Sequence, residues 1–586
     1  MAERTPEGLT ERTPEAEWLE AGRPVAERPA ERPADPQPAL VPARLVRGAR
    51  GAVVAPHHLA TAAGLAVLAA GGHAVDAAIA TNAVLGVVMP NGCGVGGDAF
   101  WLVWDEAAGE QVALNGSGRA PVGIDPDRLR AAGLDRIPLR GPLSITVPGA
   151  VRSWADAHGR WGRLSRETVL AAAIEHAAAG FPAWSGLIES VEETDASIGD
   201  EPWTAGFRQV WRPEGRPWRP GELVRLPALA ATLRTLADEG FDACYDGDLG
   251  ERIARGLAAA GGSHTVTDLR DHRSTWGTPI STTYRGVRVT THPPNSSGIL
   301  ALEILNILER FEPPAGARFD GRGWSDAAWI HCQLEAAKLV YADRDACLTD
   351  PAFREVPVEM LLSKERAAGL AAQIDPRRAD PAPPPARTLV GGTIYLAVVD
   401  AEGNAVSLIQ SNAAGFGSGV VDPATGVHFQ DRGASFSLDP AHSNTILPGK
   451  RTAHTLLPGM LFRDGERRPW VIGGSMGGDI QPQIHVQLVS ALVDGGADLA
   501  SAVAASRITV EPDGWLAPPI AVLADGNPAD GVLGELRRLG HRVAQMPYDG
   551  ALGHEHAIEL VGGGPAAGGS LAAVADPRSE GLPAVR

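Results

Sequence analysis

Between residues 51 and 90, small and apolar positions recur at helical spacing around AGLAVLAAGGHAVDAAIATNAVLGVV. Gly71, Gly72, His73 and Asp76 interrupt the run, so it predicts two packed helices rather than a bilayer span. FWLVWD (100–105) reads as a strand, and QVALNGSGRAP as another after a turn at 107–109. Residues 140–275 read as mostly helical, with Pro- and Trp-rich loops. A strand pair leading into a helix is predicted over 278–309, and a further helix over 330–345. Near the middle of the chain two β-rich runs, within 393–412, flank Ala401, Glu402, Gly403 and Asn404 and predict a hairpin. The segment just before it, 375–392, carries Pro376, Pro381, Pro383, Pro384 and Pro385, which forbid regular helix or central strand. It is the clearest linker in the chain.

Outside these patterns lies an N-terminal stretch, 1–45, built on ERTPE (3–7 and 11–15) and ERPA (27–30 and 31–34). Charge and proline without apolar content predict a disordered, acidic and Pro-rich tail. No apolar stretch there resembles a secretory signal, so a cytoplasmic enzyme is expected. The net charge of −18 provides no basic field for a nucleic acid or an anionic membrane. The four cysteines, Cys93, Cys244, Cys332 and Cys347, show no CxxC spacing and are expected to be buried, reduced thiols.

NGCGVGGD (91–98) contains the glycine spacing of a dinucleotide site, but a helix precedes it and a strand follows, the reverse of what that site requires. A tight backbone passage is the expected role. HExxH and P-loop patterns are absent from the sequence. What remains is Gly391-Gly392-Thr393, with the threonine opening a strand. The Thr393 hydroxyl could attack the unhindered Gly392 carbonyl in an N-to-O acyl shift, and hydrolysis of the ester would free the Thr393 α-amine. With a reference pKa of about 7.7–8.0, that amine suits a general base for its own hydroxyl.

The segment TIYLAVVDAEGNAVSLIQSNAAGFGSGV (393–420) resembles the start of the small subunit of gamma-glutamyltransferases. Blocks 71–105, SITVPGAV (144–151), PPNSSGI (293–299), IHCQLEAAKLVYADRD (330–345) and GGSMGGD (473–479) resemble the same family in the same order. The resemblance implies an α/β fold, a four-layer αββα N-terminal-nucleophile hydrolase sandwich. It implies one self-cleaved precursor, cut between Gly392 and Thr393 into a large subunit, 46–392 after the tail, and a small catalytic subunit, 393–586. Thr393 would be the nucleophile, Ser411 the hydroxyl that orients it, and the N–H groups of Gly477 and Gly478 the oxyanion hole. Two unhindered glycines suit that role, and loss of one such donor costs about 3–4 kcal/mol.

The substrate positions depart from the family. The arginine expected for the substrate α-carboxylate falls at Ser117, with Arg119 two residues on. The aspartate expected for the α-ammonium falls at Ser435, a neighbouring glutamine at Arg432, an asparagine at Ala413, and paired serines at His454 and Thr455. Arg432 favours a carboxylate through bidentate pairing, or else sits in an internal ion pair. These changes resemble the branch of cephalosporin acylases and oxamate amidohydrolases. They favour hydrolysis of a small-molecule amide whose acyl group carries a second carboxylate or carbonyl. A true gamma-glutamyl hydrolase or transferase, a relative recruited to break a C–C bond beside an oxalyl-like group, and a non-catalytic scaffold are the alternatives. The mechanism requires no cofactor and no metal. The two fragments would remain together as a heterodimer, with pairing of such heterodimers left open.

Overall fold

In a computed structural model of the chain, the residues described are 43–315, 319–381, 392–510 and 522–586. The expected tail lies outside them as far as residue 42, as do residues 382–391 of the linker. Regular structure among the described residues starts at the strand Leu45–Gly48, at the last residue of the expected tail.

The first apolar run forms helices His58–Ala69 and Ala74–Val88. They part where expected: Gly71 has a positive φ, and His73 opens the second helix in a capping box with Asp76. A Cβ on Gly64 would collide with the Thr81 hydroxyl, so the glycine lets the two helices touch. The hairpin is also present, as strands Gly392–Val399 and Ala405–Ala413. Strands Asp98–Asp105, Glu110–Gly116, Ile280–Tyr284 and Val287–Thr291 and helices Gly298–Leu308 and Ala327–Cys347 occupy the other expected places. Three cysteines are buried free thiols, while Cys347, at the end of its helix, is only half-buried.

Two seven-stranded sheets organise the chain. One runs Ala584–Val585, Ala52–Val54, Gly392–Val399, Ala405–Ala413, Asp98–Asp105, Glu110–Gly116 and Thr275–Gly277, all neighbours antiparallel. The other runs Leu45–Gly48, Ser570–Ala575, Glu555–Val561, Val471–Ser475, Gly459–Arg463, Val287–Thr291 and Ile280–Tyr284, also antiparallel throughout. Each sheet draws strands from both sides of the Gly392–Thr393 bond.

Alternation within strands assigns their faces. Ile394, Leu396 and Val398 join an apolar cluster with the helices around 58–88 and 150–257. Their neighbours Tyr395, Ala397 and Val399 enter a different cluster with Phe100, Leu102, Met460, Ile472, Ile558 and Ala573. That second cluster takes residues from both sheets and none from a helix. A third joins helices Gly298–Leu308, Ala327–Cys347 and Gln481–Val493 to Val289, Leu461 and Val471 of the second sheet. Thr393, two residues before Tyr395, therefore sits on the face that both sheets share. Among the described residues no helix is long and apolar enough to cross a membrane.

The cluster between the sheets should carry much of the stability. Ile558→Ala, at a fully buried position, is expected to cost about 2–5 kcal/mol, whereas Leu582→Ala, at a side chain 57% exposed, should cost less than about 0.5 kcal/mol. Urea midpoints of the two variants measure the contrast.

Candidate active site

The scissile position is shaped by close backbone packing. Gly392 pairs with Ala413 and Thr393 with Ser411, so a bulge opposite the bond leaves Asn412 as the extra residue. Its amide donates to Gly92 O (2.9 Å), and its side-chain nitrogen to Pro90 O (3.0 Å). A Cβ on Gly392 would strike Asn91 O and approach Gly415 Cα to 2.9 Å, so no larger residue fits without moving the chain. A Cβ on Gly97 would come within 2.6 Å of Ser411 O. The glycines of NGCGVGG thus let one backbone segment wrap around the bulged end of the hairpin. Ala413 accepts a φ of +74°, a region alanine rarely adopts, at the same bulge.

Sheet register then places the polar groups. Thr393 lies opposite Ser411, and Ser411 opposite Asp98, so three neighbouring strands put three side chains in one row. Thr393 Oγ1 is 2.9 Å from Ser411 Oγ. Ser411 Oγ accepts from Ala413 N–H (2.7 Å) and from Arg432 Nη2 (3.2 Å). Two donors fill the two lone pairs of a hydroxyl, which leaves the Ser411 proton for either Thr393 Oγ1 or Gly392 O, each 2.9 Å away. Placed on Gly392 O, the proton polarises the carbonyl next to the threonine. Placed on Thr393 Oγ1, it fixes the rotamer of that hydroxyl.

Arg432 lies behind this row and is 1% exposed. Its Nη1 donates to Thr455 Oγ1 (3.1 Å), and its Nε has no partner. Among the described residues no carboxylate lies within ion-pair distance of the guanidinium. Asp98, Asp431 and Asp479 act on it only at longer range, and burial lowers its pKa. Asp98 accepts from Gly118 N–H (2.8 Å) and from His454 Nε2 (3.1 Å). Burial pushes the Asp98 carboxyl up to about 7, and burial also holds His454 well below the ordinary imidazole range. His454 Nδ1 accepts from Leu456 N–H (3.4 Å), so the neutral ring carries its proton on Nε2, toward Asp98. Burial likewise raises Asp431, to about 6; its Oδ1 accepts from Ala414 N–H (2.9 Å) and its Oδ2 has no partner.

Of the residues singled out by sequence, Thr393, Ser411, Arg432 and Thr455 form one hydrogen-bonded chain, and His454 bonds Asp98, which lies opposite Ser411 in the sheet. Ser117 donates to Asn115 Oδ1 (2.7 Å) and accepts from Asn295 Nδ2 (3.3 Å); the Asn295 amide also donates to Thr452 O (2.7 Å). Arg119 turns instead to Asp350 (3.6 Å) and Gly449 O (3.2 Å). Ser435 is half-buried, and its carbonyl accepts from Asn444 (2.8 Å). Gly477 and Gly478 follow the strand Val471–Ser475 with φ of +144° and +56°. That strand lies over the nucleophile's own: a Cβ on Gly474 would come within 2.7 Å of Tyr395 Cδ2. Gln481, with its side-chain nitrogen turned toward them, bridges Ser475 O (3.2 Å) and Thr455 O (3.1 Å) and so ties the glycine turn to the Arg432 partner.

Asp98, Asp431, Asn412 and Asn295 were not singled out by the sequence. The available signal for Asp98 was its alternation with Phe100, Leu102 and Trp104, which puts an acid on the apolar face of its strand.

Comparison with known proteins gives the same family over most of the chain. The gamma-glutamyltranspeptidase family profile matches residues 60–585. The chain is 38% identical to the glutathione hydrolase-like YwrD proenzyme of Bacillus subtilis, over 92% of this chain and 98% of that protein. It is 36% identical to the oxamate amidohydrolase proenzyme of Klebsiella pneumoniae, over 91% and 98%. The crystal structure of cephalosporin acylase from Bacillus halodurans superposes with a TM-score of 0.84 at 36% identity, covering 95% of this chain and 99% of that one. The chain therefore belongs to the gamma-glutamyltranspeptidase family.

Proposed function

We propose that the chain is a self-processing threonine amidohydrolase that hydrolyses amides whose acyl group carries a second carboxylate or carbonyl. Cleavage between Gly392 and Thr393 would yield a large fragment, 1–392, whose folded part is the large subunit 46–392, and a small one, 393–586. Both would contribute to a four-layer αββα sandwich, the reading favoured by an apolar cluster shared by two sheets with helix-backed clusters on either side. Thr393 would act as nucleophile, its freed α-amine as base, Ser411 as the hydroxyl that orients it, and the Gly477 and Gly478 amides as oxyanion donors. The fragments would stay joined, because strand Ala584–Val585 pairs with Ala52–Val54, and Arg586 O accepts from Ala49 N–H (2.6 Å) and Arg50 N–H (2.7 Å).

The observation that carries the substrate reading is Arg432. A buried guanidinium without a carboxylate costs several kcal/mol, and a substrate anion would offset that cost. Two of its donors already point at Ser411 and Thr455, so an anion held there would lie next to the nucleophile. The relatives fit an acyl group of this kind in name: one is an oxamate amidohydrolase proenzyme and one a cephalosporin acylase. A true gamma-glutamyl hydrolase is the second reading, and the unpartnered Asp431 Oδ2 is the observation in its favour, as a site for an α-ammonium.

Matched anilides that differ only in the acyl group separate the two. A dicarboxylic acyl anilide without an amine is expected to exceed its gamma-glutamyl counterpart in kcat/KM, and Arg432→Met is expected to lower that kcat/KM by about 100-fold. Equal or faster turnover of the gamma-glutamyl anilide would sink the acyl-carboxylate reading.

The pH dependence has a definite sign. Below about 7 Asp98 takes up a proton, and the field of Arg432 and Arg451 is less offset, while His454 stays neutral. KM for an anionic substrate should therefore fall as pH drops from 8 to 6. Asp98→Asn should flatten that part of the profile. Steady-state KM at several pH values measures both.

A further inference from the structure

Far from Thr393 along the chain, three metal-ligating side chains converge. His331 and Glu335 stand one turn apart on helix Ala327–Cys347, and His541 follows helix Val532–Arg538. All three are buried, and one ligating atom from each lies within 4.8 Å of the others. We propose that His331 Nδ1, His541 Nε2 and Glu335 Oε1 form a site for one divalent transition-metal ion of the zinc class.

The outer contacts are those that orient ligands. His331 Nε2 lies 2.8 Å from Asp375 O, a backbone acceptor that requires the ring proton on Nε2 and leaves the Nδ1 lone pair facing the cluster. Glu335 Oε2 accepts from Asp380 N–H (3.0 Å), which turns Oε1 inward. His331 Nδ1 and His541 Nε2 are 2.7 Å apart, joined by the His541 proton, and Glu335 Oε1 is 3.9 Å from His541 Nε2. A tetrahedral ion with ligands at about 2.0–2.1 Å needs edges of roughly 3.3 Å, so the first separation opens and the second closes by well under 1 Å. Binding moves the His541 proton from Nε2 to Nδ1, with no change in net charge. Two imidazoles and a carboxylate are a donor set for zinc and its neighbours rather than for calcium or magnesium, and a fourth ligand can come from water.

Lys338 opposes the ion. Its Nζ touches Glu335 Oε1 at 2.6 Å and also donates to Asp380 O (2.9 Å). A carboxylate oxygen can accept from the ammonium and bind a metal at once, so the lysine weakens the site without blocking it. The same groups hold residues 375–380, the root of the segment that leads to Thr393, where Ala379 N–H also donates to Leu539 O (2.7 Å). In a chain cut before Thr393, the ion would join His331 and Glu335 of the large fragment to His541 of the small one. That consequence rests on the proposed cleavage, whereas the site itself does not.

The test strips the full-length protein with a chelator, returns Zn2+ and counts bound metal after exhaustive dialysis. One retained equivalent is expected in the wild type and none in His541→Ala or Glu335→Gln. Lys338→Met should tighten Zn2+ by about tenfold, because it removes a positive charge beside the ion. Co2+ added to the stripped wild type should give the intense visible bands of a four-coordinate ion, a readout that needs no variant to fold. No retained zinc, retention unchanged in His541→Ala, or a Co2+ spectrum of hexahydrate type would each overturn the proposal and leave a metal-free hydrogen-bonded anchor.

Discussion

The close approach of Asn91 O to the Cα of Gly392 is the contact on which the site depends. It leaves no space for a side chain before Thr393 and sets the bulge that pairs Thr393, rather than its neighbours, with Ser411. A one-residue slip would turn Thr393 away from the face the two sheets share and toward the helices that back its strand. The glycines at 92, 94 and 97 and the extra residue Asn412 all act on that register. Precision at Thr393 is therefore a product of backbone packing, with the polar groups arranged on top of it.

Those polar groups are poised rather than neutralised. Asp98 and Asp431 are each buried within the field of Arg432, yet the described contacts of its guanidinium are to two hydroxyls and to no carboxylate. Fully paired, the same residues would make an inert ion network of the kind seen at Arg507, Asp576, Arg578 and Asp525, where carboxylates lie 2.6–3.1 Å from guanidinium nitrogens. The contrast between the two clusters is the basis of the substrate reading proposed for Arg432.

Much of this was legible in the sequence. The helix break at Gly71–His73 carries its own capping signal, and the hairpin at 393–412 alternates cleanly, so local rules place both. Thr393 and Ser411 could be named through resemblance, and register explains why they meet. What the sequence did not mark were Asp98, Asn412 and Asn295, because their roles come from cross-strand partners far away in the chain; Ser411 and Asp98, for example, are 313 positions apart. Arg119 shows the converse. Its place in NGSGRAP suggested a substrate ligand, but the side chain folds back to Asp350. The electrostatic state of Arg432 was likewise left open by the sequence, since an ion pair depends on tertiary neighbours.

Everything proposed for catalysis needs a free amine on Thr393. Intact mass and N-terminal sequencing of the purified wild type beside Thr393→Ala therefore test the account most directly. The account predicts two wild-type fragments, the smaller beginning Thr-Ile-Tyr-Leu, and a single uncut chain in the variant. A wild-type chain that stays whole at neutral pH, or a variant cut at the same bond, would contradict it.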